Sequence, residues 1–442
     1  MTTIPHPRFR IPVLGDVIGL DWTTPTQHEA RVARELGGVY ERRLGGSSMV
    51  VVGAADAAEQ ACDETTFSRI LPGPGLYLRE LAPTGLFTVR SSDPAWSQVR
   101  TALQPAFTQE AMRRYHAGMA TVIDEMVEHL RGRAGERVST HDLMTRLTLE
   151  IIAIAGFGYR SAGFDVPVDA DQYLRAIATV LEWSSKEPNR LPLVGRIGAG
   201  ARRADAFAAL DAVQAPLIEL VARRRRDGDT DTPDLLSALI PTDLPDAVLV
   251  DQAVTFIIAG HETTAALLEV ALFYATEDPA RQGPLRADAP DGAPAQSRYE
   301  DIARHRATGR FLRECLRLVP SLPGFFRIAT ADTRLGDYAI RRGTVAFVLA
   351  LAAQRDRAAW GDDADVFDPE HFARGRRLGF YRPFGTGPRD CIGRAFATHE
   401  ATFALARLTS AFDITDPDGG PLELVERATL RPARREVVFT PR

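Results

Sequence analysis

Lysine is almost missing: Lys186 is the single one, and every other basic residue is an arginine. GC-rich codons produce that bias, so it bears on coding rather than on chemistry. Cysteine is scarce too. Cys62, Cys315 and Cys391 are an odd, small set, which excludes a disulfide framework. No two are close enough in sequence for a zinc knuckle, and a cytoplasmic setting is expected. A basic excess is also lacking. The net charge is −5 and the pI about 6.0, which argues against nucleic acid as a partner. The opening "MTTIPHPRFRIPVLGDVIGL" holds no apolar run long enough for a signal peptide or membrane anchor. The run at residues 253–259 is broken by "GHETT", so it reads as a buried helix and not a span.

What is present is ordinary globular composition, 45% hydrophobic and 25% charged over 442 residues. That length exceeds the usual small core. No repeat and no low-complexity tract separates two domains, so one mainly α unit with a small β region is expected over 1–442. Residues 39–40 and 49–52 around a Gly-Gly turn predict a hairpin. Met112, Tyr115, Met119, Val122, Ile123, Met126 and Leu130 recur at three and four, an amphipathic helix. Residues 143–158 are apolar nearly all round and predict a core helix. Residues 162–210 alternate helix with Pro/Gly breaks and read as covering elements. The arginines at 223–226 close a helix, where the dipole favours cations. One unbroken helix is expected over 245–278, a Pro/Ala/Gly-rich loop over 284–295, and a further helix up to Leu318. Short strands and turns follow.

The most informative stretch is "PFGTGPRDCIGRAFA", residues 383–397, with Phe384, Gly387, Arg389, Cys391 and Gly393 spaced F-x-x-G-x-R-x-C-x-G. A thiolate needs positive potential, and a helix start supplies it through unpaired N–H groups. "CIGRAFATHEATFALARL" reads as helical from Cys391, which places the sulfur at that start. Gly387 permits a turn closed to other residues. Gly393 lets backbone approach a flat macrocycle, Phe384 shields the sulfur, and Arg389 can pair with a cofactor carboxylate. A plain core cysteine needs none of these, and that is the reading for Cys62 and Cys315.

This loop resembles the heme-ligand loop of the cytochrome P-450 superfamily, and the resemblance runs from about residue 35 to the end. Within that superfamily the chain is similar to the heme domain of bacterial self-sufficient fatty-acid hydroxylases. Shared blocks include "ACDETTF" (61–67), "GLFT" (85–88), "MTRLTLE" (144–150), "IAGHETT" (258–264), "WGDD" (360–363) and "HEAT" (399–402). The resemblance implies the P-450 fold, with its long central helix over the heme. It implies heme b as cofactor, Cys391 as axial ligand, and oxygen-dependent hydroxylation or epoxidation of a small, largely apolar molecule.

Within "AGHETT", Gly260 leaves room for oxygen, and Glu262 with Thr263 form an acid–alcohol pair able to relay protons through water. The competing reading has Thr263 bonding only to its own helix. His261 reads as structural. Glu314 and Arg317 share one helical face. The resemblance buries them beneath the heme, tied to the loop before the cysteine, with His371 where relatives carry an arginine. It also implies that Trp96, Arg100 and Arg327 reach the heme propionates. Phe87, Leu78, Ile258, Ala259, Leu322 and Ala428 would line the substrate pocket.

Two other classes compete. A peroxide-driven enzyme or isomerase would usually lack the acid–alcohol pair, and a heme sensor would carry a signalling domain. With no fused reductase in 1–442, a ferredoxin and its reductase are the expected electron donors. The fatty-acid hydroxylases hold the substrate carboxylate with an arginine and a tyrosine on the hairpin. Ser47 and Val51 fall at those places, so free fatty acids are expected to be poor substrates. A secondary metabolite is the expected substrate.

Overall fold

A computed structural model of the chain describes residues 3–71, 74–160, 162–187, 190, 197–288, 298–373 and 379–442. These divide into two units, each assembled from separated stretches of sequence. The first comprises Met1–Pro72, Arg310–Cys391 and Leu424–Arg431, and the second Gly73–Gly309, Ile392–Glu423 and Pro432–Arg442. A reading of local sequence does not show this division, because both units are discontinuous.

The first unit carries the larger sheet. The expected hairpin is Val39–Leu44 paired with Ser47–Val52. Gly45 and Gly46 both take positive φ in its turn, as a two-residue hairpin loop requires. Val345–Val348 adds in parallel to the second strand, Phe325–Ala329 adds antiparallel, and Phe67–Arg69 closes the edge. The β-branched residues on one face bury against the short helix Ala55–Ala61, with Val50, Val52, Ala58, Phe67 and Val348 in a common core. The helix Arg306–Leu318 stops at Leu318, two residues before Pro320, as a proline dictates.

The second unit is the helical body. The ladder from Met112 to Leu130 forms Gln109–Gly132, with the Thr108 hydroxyl capping its first turn. Its partner Thr140–Phe157 ends on Gly158 in the left-handed conformation. At Gly118 a Cβ would stand 2.7 Å from Ile154 Cγ2, so this glycine sets how closely the two helices approach. The central helix Asp246–Glu277 has no lysine or arginine in its 32 residues and spans about 48 Å at 1.5 Å per residue. It is long and apolar enough to cross a membrane, but most of it is buried inside the protein, as an all-round apolar helix of a folded body should be. Arg137–Ser139, Glu436–Pro441 and Phe412–Thr415 form a second small sheet.

Two expectations need correction. The stretch 284–295 is not all loop: Gln282–Asp288 is helical, and the remainder lies outside the described residues. In the arginine run that ends Ala199–Asp227, Arg224 is buried and bonds Asp234 and Ser237. It is a structural ion pair rather than a simple complement to the helix dipole. Part of the expected covering segment, residues 188–189 and 191–196, also lies outside the described residues.

Candidate functional site

Cys391 ends the second stretch of the first unit. Its backbone N–H donates to the Phe384 carbonyl at 2.9 Å and closes a seven-residue loop-back. Two glycines make that path possible, Gly385 at φ +74 and Gly387 at φ +68. At Gly387 a Cβ would meet Glu64 Oε1 at 2.0 Å, so both the conformation and the space call for glycine. Arg389 closes the 3₁₀ turn Gly387–Arg389. The helix expected to start at Cys391 starts three residues later. Gly393 caps Arg394–Ala411, with a φ of −82° that any residue adopts. Residues 391–393 turn before the helix because the chain is still leaving the loop.

The three cysteines differ in exposure. Cys315 is buried, Cys62 is intermediate and Cys391 is exposed. Burial, aided by Glu59, pushes the Cys62 thiol up to about 11, so it stays protonated near neutral pH. Cys391 is the one exposed cysteine, on a shaped loop.

A buried network braces this loop from behind. Arg317 donates from Nε and Nη2 to the two oxygens of Glu314 at 2.7 Å each. Both residues are fully buried. The remaining guanidinium donors reach the carbonyls of Gln354, Ala364 and Val366. His371 Nδ1 lies 3.0 Å from Glu314 Oε1, so the histidine does join the pair. The tie to the stretch before the cysteine, which the resemblance implies, runs through Gln354. Gln354 donates to the carbonyls of Leu316 and Arg317, and its own oxygen accepts from the Arg382 N–H. Trp360, beneath the Arg317 guanidinium, donates to the Phe380 carbonyl. Gln354 has no local signal, because its partners lie about thirty to forty residues away.

Arg327 sits on the strand Phe325–Ala329, 2% exposed. Its Nε donates to the Ala61 carbonyl and its Nη2 to the Phe67 carbonyl, and Nη2 also pairs with Glu64 at 2.9 Å. These contacts anchor residues 61–67, a role that sequence reading missed. Leu322, 45% exposed, and Ala428 share a neighbourhood in this unit, because the Leu430 N–H donates to the Ser321 carbonyl.

The second unit carries the remaining predicted residues. Trp96 and Arg100 are half-buried, one turn apart on Pro94–Leu103, where Asp93 caps the first turn. On the central helix nearly every side chain is buried. Between its end turns the exception is one patch, where Thr255, Ile258, Ala259, Gly260 and Thr263 are open or partly open. Thr255, Ala259 and Thr263 follow at intervals of four and mark a single face. The Thr263 hydroxyl donates to the Ala259 carbonyl at 2.7 Å. That bond is the intrahelical one weighed above, and it leaves the oxygen's lone pairs able to accept. Glu262 is largely buried, and consecutive helical residues do not face each other, so this acid and this alcohol leave the helix in different directions. His261 is buried with Nδ1 2.8 Å from the Ile257 carbonyl, a structural histidine as expected.

Phe87 is 40% exposed between Leu86 at 8% and Thr88 at 3%. Leu78 is partly buried on Pro74–Leu81. The residue types fit a heme: the first unit offers an exposed cysteine on a glycine-shaped loop, and the second offers arginine and tryptophan donors and an apolar helix face with a hydroxyl.

A family model described as Cytochrome P-450 matches residues 5–439. Among curated proteins, the chain is 30% identical to a "Bifunctional cytochrome P-450/NADPH–P-450 reductase" of Bacillus cereus, covering 100% of this chain and 42% of that protein. It is 31% identical to a second protein of that description from Bacillus subtilis, covering 100% and 43%. It is 29% identical to a "Self-sufficient cytochrome P-450 monooxygenase" of Phanerodontia chrysosporium, again over 100% and 43%. The chain thus spans about two-fifths of the length of these relatives.

Proposed function

The chain belongs to the cytochrome P-450 family, which holds heme b through a cysteine thiolate, and we propose that it is a heme-thiolate monooxygenase with Cys391 as the axial ligand. The observation that carries this reading is the loop of Cys391, where two left-handed glycines and the bond to Phe384 shape the path of the one exposed cysteine. Heme bound there supplies oxygen activation and oxidation of a C–H bond or alkene, chemistry that belongs to the cofactor.

The chain's own residues bind, orient and move protons. Arg389, Trp96 and Arg100, with Arg327 alongside, serve the propionates. Phe384 and Gly393 shape the sulfur's surroundings. Thr263 Oγ, with its own proton on the Ala259 carbonyl, accepts a hydrogen bond from water and holds that water for proton transfer from Glu262. Phe87, Leu78, Ile258, Ala259, Leu322 and Ala428 form the apolar walls. The test is spectroscopic. Reduced protein with carbon monoxide should show the red-shifted Soret band of a thiolate-ligated heme. That band should be lost in Cys391→His and kept in Cys62→Ala; its survival in Cys391→His would sink the assignment.

The substrate reading rests on the hairpin. Val51 is fully buried, and Ser47 is exposed but uncharged. Nearby cations are engaged: Arg42 is buried with Glu29 at 2.8 Å, and Arg43 pairs with Glu41. A fatty-acid carboxylate would therefore be desolvated without a charge-assisted bond, which costs a few kcal/mol in a dry site. A neutral, bulkier molecule, such as a secondary metabolite, is the proposed substrate. In spin-state titrations, saturated fatty acids should bind at least tenfold more weakly than their methyl esters; equal or tighter binding would overturn this.

Electrons are proposed to come from a ferredoxin and its reductase, in the cytoplasm, with residues 1–442 acting as one heme module. The family match over residues 5–439 supports the heme module. The purified protein should be inert with NADPH alone and active once the ferredoxin pair is added.

A further inference from the structure

The segment 84–88 runs beside the central helix and is tied to it by polar side chains one to two turns before the open patch. Asp251 Oδ2 accepts from both the Thr84 N–H at 2.8 Å and the Thr84 hydroxyl at 2.6 Å. Gln252 works in both directions. Its oxygen accepts from the Leu86 N–H at 2.8 Å, and its nitrogen donates to the Thr84 carbonyl at 2.7 Å. Gln252 is fully buried and Asp251 nearly so. Between these ties the backbone presses on the helix, since a Cβ on Gly85 would stand 2.2 Å from Thr255 Oγ1. The far side of the segment is closed as well. The Thr88 hydroxyl bonds the carbonyls of Ala82 and Gly85, and Arg79 Nε donates to the Thr88 carbonyl at 2.7 Å. Phe87 is the one residue of residues 86–89 whose side chain is open, its neighbours being at most 8% exposed.

Each interaction is of the kind that fixes position. A buried backbone N–H requires a partner, and Leu86 finds it on a side chain of the central helix. Thr255, which the segment touches, lies one helical turn from Ala259 and two from Thr263, about 6 and 12 Å along the axis. The helix that carries the proton-relay hydroxyl therefore also suspends the aromatic wall.

We propose that Asp251 and Gln252 are positioning residues that hold residues 84–88 as a clamp and so fix Phe87 as a rigid wall that sets which ligands fit beside the heme. The proposal rests on the heme-thiolate reading above. Burial raises the Asp251 carboxyl above its ordinary range, and the Thr84 hydroxyl and N–H oppose that rise because they bond the ionised carboxylate more strongly.

The test uses heme-loaded protein and two probes, imidazole and 4-phenylimidazole, titrated by their Soret shifts. Imidazole reads the iron face alone, and 4-phenylimidazole reads the wall beside it. In Asp251→Ala and Gln252→Leu the ratio of the two dissociation constants should change at least fivefold, with imidazole itself within twofold of wild type. Asp251→Asn keeps an acceptor oxygen for Thr84 and should restore the ratio to within twofold. Thr84→Val, which removes only a hydroxyl, is the milder variant should the others fold poorly. It should move the ratio in the same direction as Asp251→Ala. Amide hydrogen exchange read on a peptide covering residues 84–88 should quicken at least tenfold in Gln252→Leu. An unchanged ratio and unchanged exchange in Gln252→Leu and Thr84→Val would overturn the clamp. A missing carbon monoxide band in the wild type would instead overturn the heme-thiolate reading, so the two failures are distinct.

Discussion

At the scale of single residues, chemistry is decided by what each side chain has left after its structural bonds are made. Thr263 donates to Ala259, so in the proposed relay its oxygen accepts from a water and does not release its own proton. Thr263→Ala should therefore leave the substrate-induced spin shift within about twofold of wild type and divert reducing equivalents to peroxide. Product formed per NAD(P)H should fall several-fold, and a coupling ratio equal to wild type would remove Thr263 from the relay. Arg327 shows the same principle from the other side. By resemblance it is a propionate arginine, yet its Nε and Nη2 bond Ala61, Phe67 and Glu64. Its first effect is to hold the loop whose Glu64 packs against Gly387.

At the scale of elements, that contact between Glu64 and Gly387 joins two loops 323 residues apart in sequence, and it makes a prediction with two separable parts. Gly387→Ala places a side chain at φ +68, which costs roughly 1–2 kcal/mol for a non-glycine residue, and also drives its Cβ into Glu64. Adding Glu64→Ala removes the collision but not the strain. Measured against Glu64→Ala alone, which carries the loss of the Arg327 pair, the double variant should thus recover part, and only part, of the lost thermal midpoint and heme retention. Full recovery would mean that the backbone conformation carries no cost, and no recovery would mean that the contact carries none. This pair also marks where sequence ceases to be legible. The spacing around Cys391, the long apolar helix and the hairpin were readable, because each is a local pattern. The three-residue error at the start of Arg394–Ala411 arose because turn and first helical turn share one composition. Glu64, Gln354, Asp251 and Gln252 had no local signature at all. Their partners lie far along the chain, as with the 167 residues between Thr84 and Asp251, and only folding brings the two together.

At the scale of the whole molecule, acid stability should be governed partly by buried histidines away from the cysteine loop. In the helical unit His116 Nδ1 lies 2.9 Å from His399 Nε2. Tyr299 stacks on His399 and carries Arg113 over its ring. Burial first, then the proximity of His116 and His305, depresses His399 to about 3, and burial also lowers His305. A histidine with a depressed folded pKa binds its proton only on unfolding. Its effect on stability is therefore nil above about 6.5, and stability is lost as pH falls from there toward 3. The slope approaches ~1.4 kcal/mol per pH unit for each proton. Glu400 acts in the opposite sense. Its burial raises its carboxyl well above the ordinary range, so unfolding releases a proton and stability falls as pH rises through 4.5 and beyond. The two trends partly cancel in the wild type, which is why the test is a difference between proteins. His399→Phe keeps an aromatic ring beside Tyr299 and Phe403 while removing one titration. Its thermal midpoint should lie below that of wild type at pH 7.5, where the bond to His116 is lost with no gain in return. The gap should narrow steadily between pH 6.5 and 5, as the wild type alone suffers the proton-linked loss. Parallel pH profiles for the two proteins would show that His399 is not held neutral by the fold.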